Sequence, residues 1–288
     1  MTSLSRRSLF SMVPAVSALL ALRGKAAPIP ESAQTPAGFG ISVQCWTFNR
    51  FTLFEAIEKS AAAGATGVEV YKGQKIGGDH GDLAFSPDIS DEVTQSILDK
   101  LKQHNLSALN FGVTDISKDE AEARKTFEIA KKLGLYGITT ESVDAIDTIE
   151  KLVKEYDIKV GFHNHPKPTA LWSPYTVLKV IDGRDKRIGF CADVGHWASS
   201  GLDPLDVVQK VAGRIVSFHM KDREKIGSAT HDRPFGTGVI DIVGILDAAR
   251  AKGFDGNVSI EYEHNWDANV PDVAQCIGYL RAYSKMRA

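Results

Sequence analysis

The chain has 288 residues, 43% of them hydrophobic and 24% charged, with 34 Lys and Arg against 36 Asp and Glu. That apolar content excludes a disordered chain, and the length suits one large domain or two small ones. A net charge of −2 leaves no basic face for nucleic acid, and three cysteines with no Cys-x-x-Cys pair exclude a disulfide framework and a structural zinc cluster.

Residues 1–26 read apart from the fold. Arg6 and Arg7 precede Ser8-Leu9-Phe10, and Ser11 to Leu22 is an uncharged stretch rich in Ala and Leu. That stretch is too short to span a bilayer, which needs about 20 residues. Gly24-Lys25-Ala26 supplies small residues for a cleavage site. The segment resembles a twin-arginine export signal, which implies an exported, periplasmic protein with no membrane association once the signal is cut. Cleavage after Ala26 leaves 30 positive against 36 negative residues, a net charge of −6. Such a charge disfavours DNA and anionic lipid as partners. Residues 27–39, rich in Pro, Ala and Ser, read as a linker to a domain over 40–288.

Short apolar runs then alternate with helical patterns. Gly40 to Trp46 predicts a first strand, and Thr52 caps a helix that runs to Ala63 and closes at Gly64. Gly67 to Tyr71 predicts the second strand and Asp91 to Asn105 its helix, with Val93, Ile97, Leu98 and Leu101 at helical spacing. Ser107 to Val113 is followed by a helix over Lys118 to Leu133, and Gly137 to Ser142 by one over Asp144 to Tyr156. Lys159 to His165 leads to the helix Pro174 to Ile181, and Ile188 to Val194 to one that starts at Pro204. Ile215 to Lys221, the helix Ile240 to Ala251, the strand Val258 to Glu263 and the helix Val270 to Tyr283 complete the series. Eight such units predict a closed (β/α)8 TIM barrel. A doubly wound sheet would want a Gly-rich loop after the first strand, where this chain has C-W-T-F-N-R.

In a (β/α)8 barrel the active site lies at the C-terminal ends of the strands. Here strand four ends in Glu141, strand five in His163 and His165, and strand six in Asp193 and His196. Strand seven ends in His219, Lys221 and Arg223, and strand eight in Glu261, Glu263 and His264. Residues two apart share a strand face, so these groups can converge at one mouth. Carboxylates together with imidazoles suit one divalent cation such as Mn, Co, Zn or Mg. The Gly-rich loop from Tyr71 to Phe85 is placed to cover a substrate, and Trp46 and Trp197 to stack on a sugar or to pack the barrel.

At these residues the chain resembles the xylose isomerase-like TIM barrel superfamily, the sugar isomerase/epimerase group. The resemblance rests on D-V-G-H at Asp193 to His196, the His219 to Arg223 block, F-G-T-G-V-I-D from Phe235 to Asp241, and Glu261. It implies a metal held by Glu, Asp, His and Glu from strands five to eight, of which Asp193, His219 and Glu261 match three. It also implies substrate contacts at His196 and near Arg223, with His165, Lys221 and Trp197 around them. Strand five departs, carrying His163 where the ketose 3-epimerases of the group carry Glu. Glu141 is expected as the fourth ligand, with His163 its competitor. AP endonucleases share the fold but need histidines on strands two and three, which end here in E-V-Y and L-N-F.

The implied reaction is proton transfer next to a carbonyl of a sugar or keto-sugar through an enediolate. Glu261 and Glu141 would be the carboxylates, and His196 and His163 or His165 would hydrogen-bond the oxyanion. Loss of a β-substituent would make a lyase instead, as in keto-inositol dehydratases, and a broken metal set would leave a sugar-binding protein. The expected partner is a small carbohydrate, not nucleic acid, and a homo-oligomer is compatible with the sequence. Export has its own check: replacing Arg6 and Arg7 with lysine should trap the precursor inside the cell, read by immunoblotting of cell fractions. Normal processing of that variant would remove the twin-arginine assignment.

Overall fold

The computed structural model describes residues 28–228 and 230–288, so the expected export signal lies outside the described residues. Eight parallel strands close into a barrel: β1 (Gly40–Gln44), β2 (Gly67–Val70), β3 (Ser107–Phe111), β4 (Gly137–Thr140), β5 (Lys159–His163), β6 (Ile188–Asp193), β7 (Ile215–Met220) and β8 (Asn257–Ile260). They pair in sequence order, and β8 returns to β1 with Gly40 opposite Asn257. The chain therefore forms the (β/α)8 barrel its alternation predicts.

The helices sit where their end signals place them. Thr52 and Glu55 form a reciprocal capping box at the start of α1 (Leu53–Ala63), and Gly64 ends it at φ 93°. Ser90 caps α2 (Asp91–Gln103) and Asp119 caps α3 (Glu120–Lys132). Outside the remaining strands lie α4 (Ile146–Tyr156), α5 (Pro174–Ile181), α6 (Val194–Ser199), α7 (Pro204–Val211), α8 (Ile242–Arg250) and α9 (Val270–Met286). None of these helices is long and apolar enough to cross a membrane.

The interior of the barrel carries polar groups. Ser42 donates to Asn257 Oδ1 at 2.9 Å and lies 3.0 Å from Ser259 Oγ, while Glu69, Asn110 and Thr139 are fully buried. Bulky branched residues usually fill such layers. The bottom is closed by the segment expected as a linker: Ile29 and Ala33 are buried with Leu109, Tyr136 and Val216. From Ile29 onward this segment packs as part of the domain, because its apolar residues cover the open end of the barrel. Cys45, Cys191 and Cys276 are buried and free.

After β7 the chain turns out of the barrel into a two-stranded antiparallel ribbon, Asp222–Arg223 with Asp232–Arg233. Asp222 organises the return. Its Oδ1 accepts from the backbone N–H groups of Arg223 and Ile240, and its Oδ2 from those of Gly236 and Gly238. A Cβ at Gly238 would lie 2.2 Å from Asp222 Oδ1, and Gly236 has φ 82°. The F-G-T-G stretch is thus a backbone cradle for one buried carboxylate. Asp222→Ala should cost about 3 kcal/mol or more, or roughly 6–12 °C in Tm, because several N–H groups lose a charged acceptor. Thermal unfolding checks this, with metal content per folded molecule expected to stay at the parent level.

Candidate metal centre

Each strand end delivers its side chain by a local device. Asp193 ends β6 and caps α6, its Oδ1 accepting from the His196 backbone N–H at 2.7 Å. That bond leaves Oδ2 pointing into the barrel mouth. His219 lies opposite Asp193 in the β6–β7 register. Thr140 lies opposite Phe162, so the next residues, Glu141 and His163, come abreast. Asn164 clamps the backbone beside them, accepting from Asp193 N at 3.0 Å and donating to Asp193 O at 2.9 Å.

Four buried side chains bring donor atoms within 4.8 Å of one another: His163, Asp193, His219 and Glu261. Glu141 stands one step away, grouped with His163 and His165. Its Oε1 lies 2.8 Å from His163 Nδ1 and 2.5 Å from His165 Nδ1. So the structure brings together His163 and the three family-matched residues. Glu141, expected as the fourth ligand, backs the imidazole of its competitor, because the neighbouring strand presents His163 closer to the axis.

His219 has the same construction. Its Nε2 lies 3.0 Å from Glu69 Oε1, which also accepts from Thr139 Oγ1 at 2.8 Å. Each central imidazole is therefore held from behind by a carboxylate, the arrangement that fixes ring orientation and tautomer in metal-binding histidines. Inward, His163 Nε2 is buried with no hydrogen-bond partner, 3.5 Å from Asp193 Oδ2, while His219 Nδ1 faces Glu261 Oε2 at 3.1 Å with the Lys221 ammonium beside that oxygen. A buried imidazole nitrogen is rarely left unpartnered, and this convergence of ring nitrogens and carboxylate oxygens on one point fits a cation with these residues as its ligands.

Lys221 lies beneath this centre, fully buried. Its Nζ donates to Asp193 Oδ2 at 2.8 Å and stands 2.7 Å from Glu261 Oε2 and 2.9 Å from Glu263 Oε2. Expected to bind substrate, it is instead enclosed by carboxylates. Burial alone would raise the Asp193 and Glu261 carboxyls, but Lys221 and the adjacent histidines hold both well below the usual range. Burial opposes the charge on Lys221, yet the same carboxylates keep its pKa well above the ordinary value. Glu141 follows the same logic: burial raises it, and His163 and His165 bring it down to about 2. His165 is raised by its hydrogen bond to Glu141. His196, by contrast, is pushed well below its ordinary value by burial.

A cavity of about 430 Å³ opens above the centre, lined by His163, His165, His196 and Glu261 and walled by Trp46, Tyr71, Lys72 and Glu263. A cleft of about 460 Å³ near the start of β3 is lined by Leu98, Leu101, Leu106 and Leu133 together with Lys102 and Asn105, with neither carboxylate nor imidazole. Two expected substrate contacts lie elsewhere. The Arg223 guanidinium is bound to Asp232 Oδ1 and Ser199 Oγ, because the ribbon carries it away from the β7 axis. Trp197 is fully buried on α6 against Phe190. Of the loop over 71–85, Tyr71 and Lys72 wall the cavity, whereas Phe85 is buried against Phe111 and His80 bonds Ser96 at 2.6 Å. Glu69 was legible only as the first residue of E-V-Y, since nothing in the sequence shows that an acidic residue in β2 faces inward.

The chain belongs to the xylose isomerase-like TIM barrel family, which it matches over residues 57–283. It is 30% identical over 132 residues to an inosose isomerase of Halalkalibacterium halodurans, and 24% identical over 139 residues to an inosose dehydratase of Geobacillus thermodenitrificans. Each match covers 43% of this chain and 46% of the relative, so the match spans about half the length of these curated relatives. A crystal structure of an uncharacterised protein from Parabacteroides distasonis superposes with a TM-score of 0.69 at 31% identity, covering 85% of this chain and 99% of that one.

The two carboxylate-backed histidines yield a prediction on purified protein. His163→Ala should lose the metal, whereas Glu141→Ala should keep it with an affinity lowered about 10–100-fold, the usual effect of removing an outer-shell partner. Metal titration followed by elemental analysis checks this, and the reverse pattern would return Glu141 to the ligand set.

Proposed function

We propose that the protein is a metal-dependent isomerase or epimerase acting on a sugar or keto-sugar by proton transfer next to its carbonyl, through an enediolate. The observation that carries this reading is the convergence of His163, Asp193, His219 and Glu261, with His163 Nε2 buried and unpartnered, at the floor of a cavity of about 430 Å³. A divalent cation held there supplies Lewis-acid polarisation of adjacent sugar oxygens.

The side chains do the rest. Glu261 lines the cavity as a carboxylate kept ionised by Lys221 and His219, and its place beside the substrate makes it the candidate to accept the carbon-bound proton. His196, kept neutral by burial, can donate a ring N–H towards oxygen charge developing on the substrate. His165, 45% exposed at the side chain and fixed by Glu141, faces the same cavity. With His163 Nδ1 held by Glu141 and Nε2 offered to the cation, oxyanion contacts pass to His165 and His196. Glu141 then positions two histidines and is not itself the second base.

Return of the proton to the same carbon gives an epimer, and to its neighbour an isomer. Loss of a β-hydroxyl would give a lyase, a second reading favoured by the likeness to an inosose dehydratase. A non-catalytic sugar-binding protein is the rival from another class. The export reading is part of the same proposal: Arg6-Arg7 and the run from Ser11 to Leu22 support a periplasmic site of action.

Metal-loaded protein incubated with free and 3-keto sugars in D₂O, followed by NMR, should put deuterium into at least one of them. Glu261→Gln keeps a weak oxygen ligand but cannot accept a proton near neutral pH. It should retain metal and lose turnover by at least ~10², the scale of general-base catalysis. Exchange at the parent rate in that variant would leave Glu261 a ligand only. An unsaturated product would establish the lyase, and no exchange with any sugar would leave a binding protein.

A further inference from the structure

One wall of the cavity is built from groups that the metal centre does not use. Trp46 follows β1 and is 41% exposed, while most large apolar side chains nearby are buried. It is nonetheless held in place. Its indole N–H donates to Glu263 Oε1 at 3.2 Å, and its ring meets Tyr71 edge to face at 5.2 Å. Glu263 is fixed in turn: its Oε2 lies 2.9 Å from Lys221 Nζ, and its backbone N–H donates to Asp232 Oδ2 at 2.7 Å. An exposed tryptophan anchored at both its N–H and its ring has given up orientational freedom without being buried. That is the construction of a preorganised contact surface.

The chemistry of this wall selects a ligand. A fixed indole offers a flat apolar face, complementary to the C–H face of a closed six-membered polyol ring. An open-chain sugar presents no such face. A carboxylate beside the indole accepts hydrogen bonds from hydroxyls. The charge around the cavity selects further. Of the charged groups that line it, Glu261 and Glu263 are carboxylates, with Lys221 buried behind both and Lys72 at the rim. Arg223, which could have bound a phosphate in bidentate fashion, is bound to Asp232. A phosphate group placed at this wall, away from the cation, meets the Glu263 carboxylate with the Arg223 guanidinium spent on Asp232, a like-charge arrangement that rejects it.

We propose that Trp46, Tyr71 and Glu263 form a subsite for an uncharged, ring-closed polyol, either a pyranose or a cyclitol, and that this subsite sets the substrate class of the protein. The subsite adjoins the centre assigned above and rests on that reading for the position of the reacting carbon. Trp46 is its stacking platform, and Glu263 is its hydroxyl acceptor as well as the anchor of the indole.

Binding, measured apart from turnover, tests this. Methyl β-D-glucopyranoside, myo-inositol, D-glucitol and D-glucose 6-phosphate are titrated into the metal-loaded full chain by calorimetry, with Trp46→Ala and Trp46→Phe run alongside. Circular dichroism melting confirms that both variants fold. The two ring polyols should bind more tightly than glucitol and the phosphate ester. Trp46→Ala should weaken ring binding roughly tenfold, the scale of one aromatic contact, and Trp46→Phe should fall between it and the parent. Preference for glucitol or the phosphate ester overturns the proposal, as does unchanged ring binding in Trp46→Ala, a Phe variant no better than Ala, or no ring binding at all. If the parent binds ring polyols but exchanges no deuterium into any sugar, the subsite stands and the isomerase reading falls. If it exchanges deuterium only into open-chain or phosphorylated sugars, the isomerase reading stands and the subsite falls.

Discussion

The mouth of this barrel is organised around one buried ammonium. Lys221 Nζ sits within 3 Å of carboxylates from β6 and from two positions after β8. Burying Asp193 and Glu261 side by side without it would raise at least one carboxyl until it protonated. With it, both stay ionised, the state in which their oxygens could serve a cation. The same ammonium holds Glu263, and through Glu263 the indole of Trp46. One cation thus links the floor of the site to its wall. A buried ion cluster of this kind is a poor device for stability, since its desolvation cost offsets most of its attraction. It serves geometry: each carboxylate is held where a neutral residue would not stay.

The histidines answer to the same constraint from outside. Glu69 and Glu141 stand behind His219 and His163, one nitrogen of each ring being taken and the other left for the centre. Cys191 and the flanking carboxylates also act on His219, raising it well above its ordinary value although burial opposes this. A proton held there is what a bound cation would displace, so occupancy of the centre is linked to proton release.

Much of this was legible in the sequence. Strand–helix alternation yields the barrel because each helix ends on a local signal, such as Thr52 with Glu55 or Gly64 at positive φ. Asp193, His219 and Glu261 were legible because barrel topology sends strand ends to one mouth. What stayed hidden depends on register and on local turns. Glu141 and His163 end neighbouring strands, and which of them points to the axis is a matter of pairing that no spacing encodes. Arg223 follows Lys221 by two residues and would share its face if β7 continued, but the strand ends at Met220 and the ribbon turns away. Helix α6 was missed because Asp193 ends a strand and caps a helix at once, which also carries Trp197 into the core.

The exchange of a strand-five carboxylate for His163 alters more than a ligand's identity. A set of three carboxylates and one imidazole is hard and strongly anionic, and it accepts Mg²⁺ or Mn²⁺ readily. Two imidazoles with two carboxylates carry one negative charge fewer and offer nitrogen donors, which suit Zn²⁺, Co²⁺ and Mn²⁺ better than Mg²⁺. Lys221 shifts the balance the same way, because its ammonium already draws on the two carboxylates of that set. A softer donor set with less negative charge binds chiefly through its nitrogens, and those nitrogens are the atoms that Glu69 and Glu141 aim. A metal held by these residues would therefore be selected as much behind the histidines as in front of them.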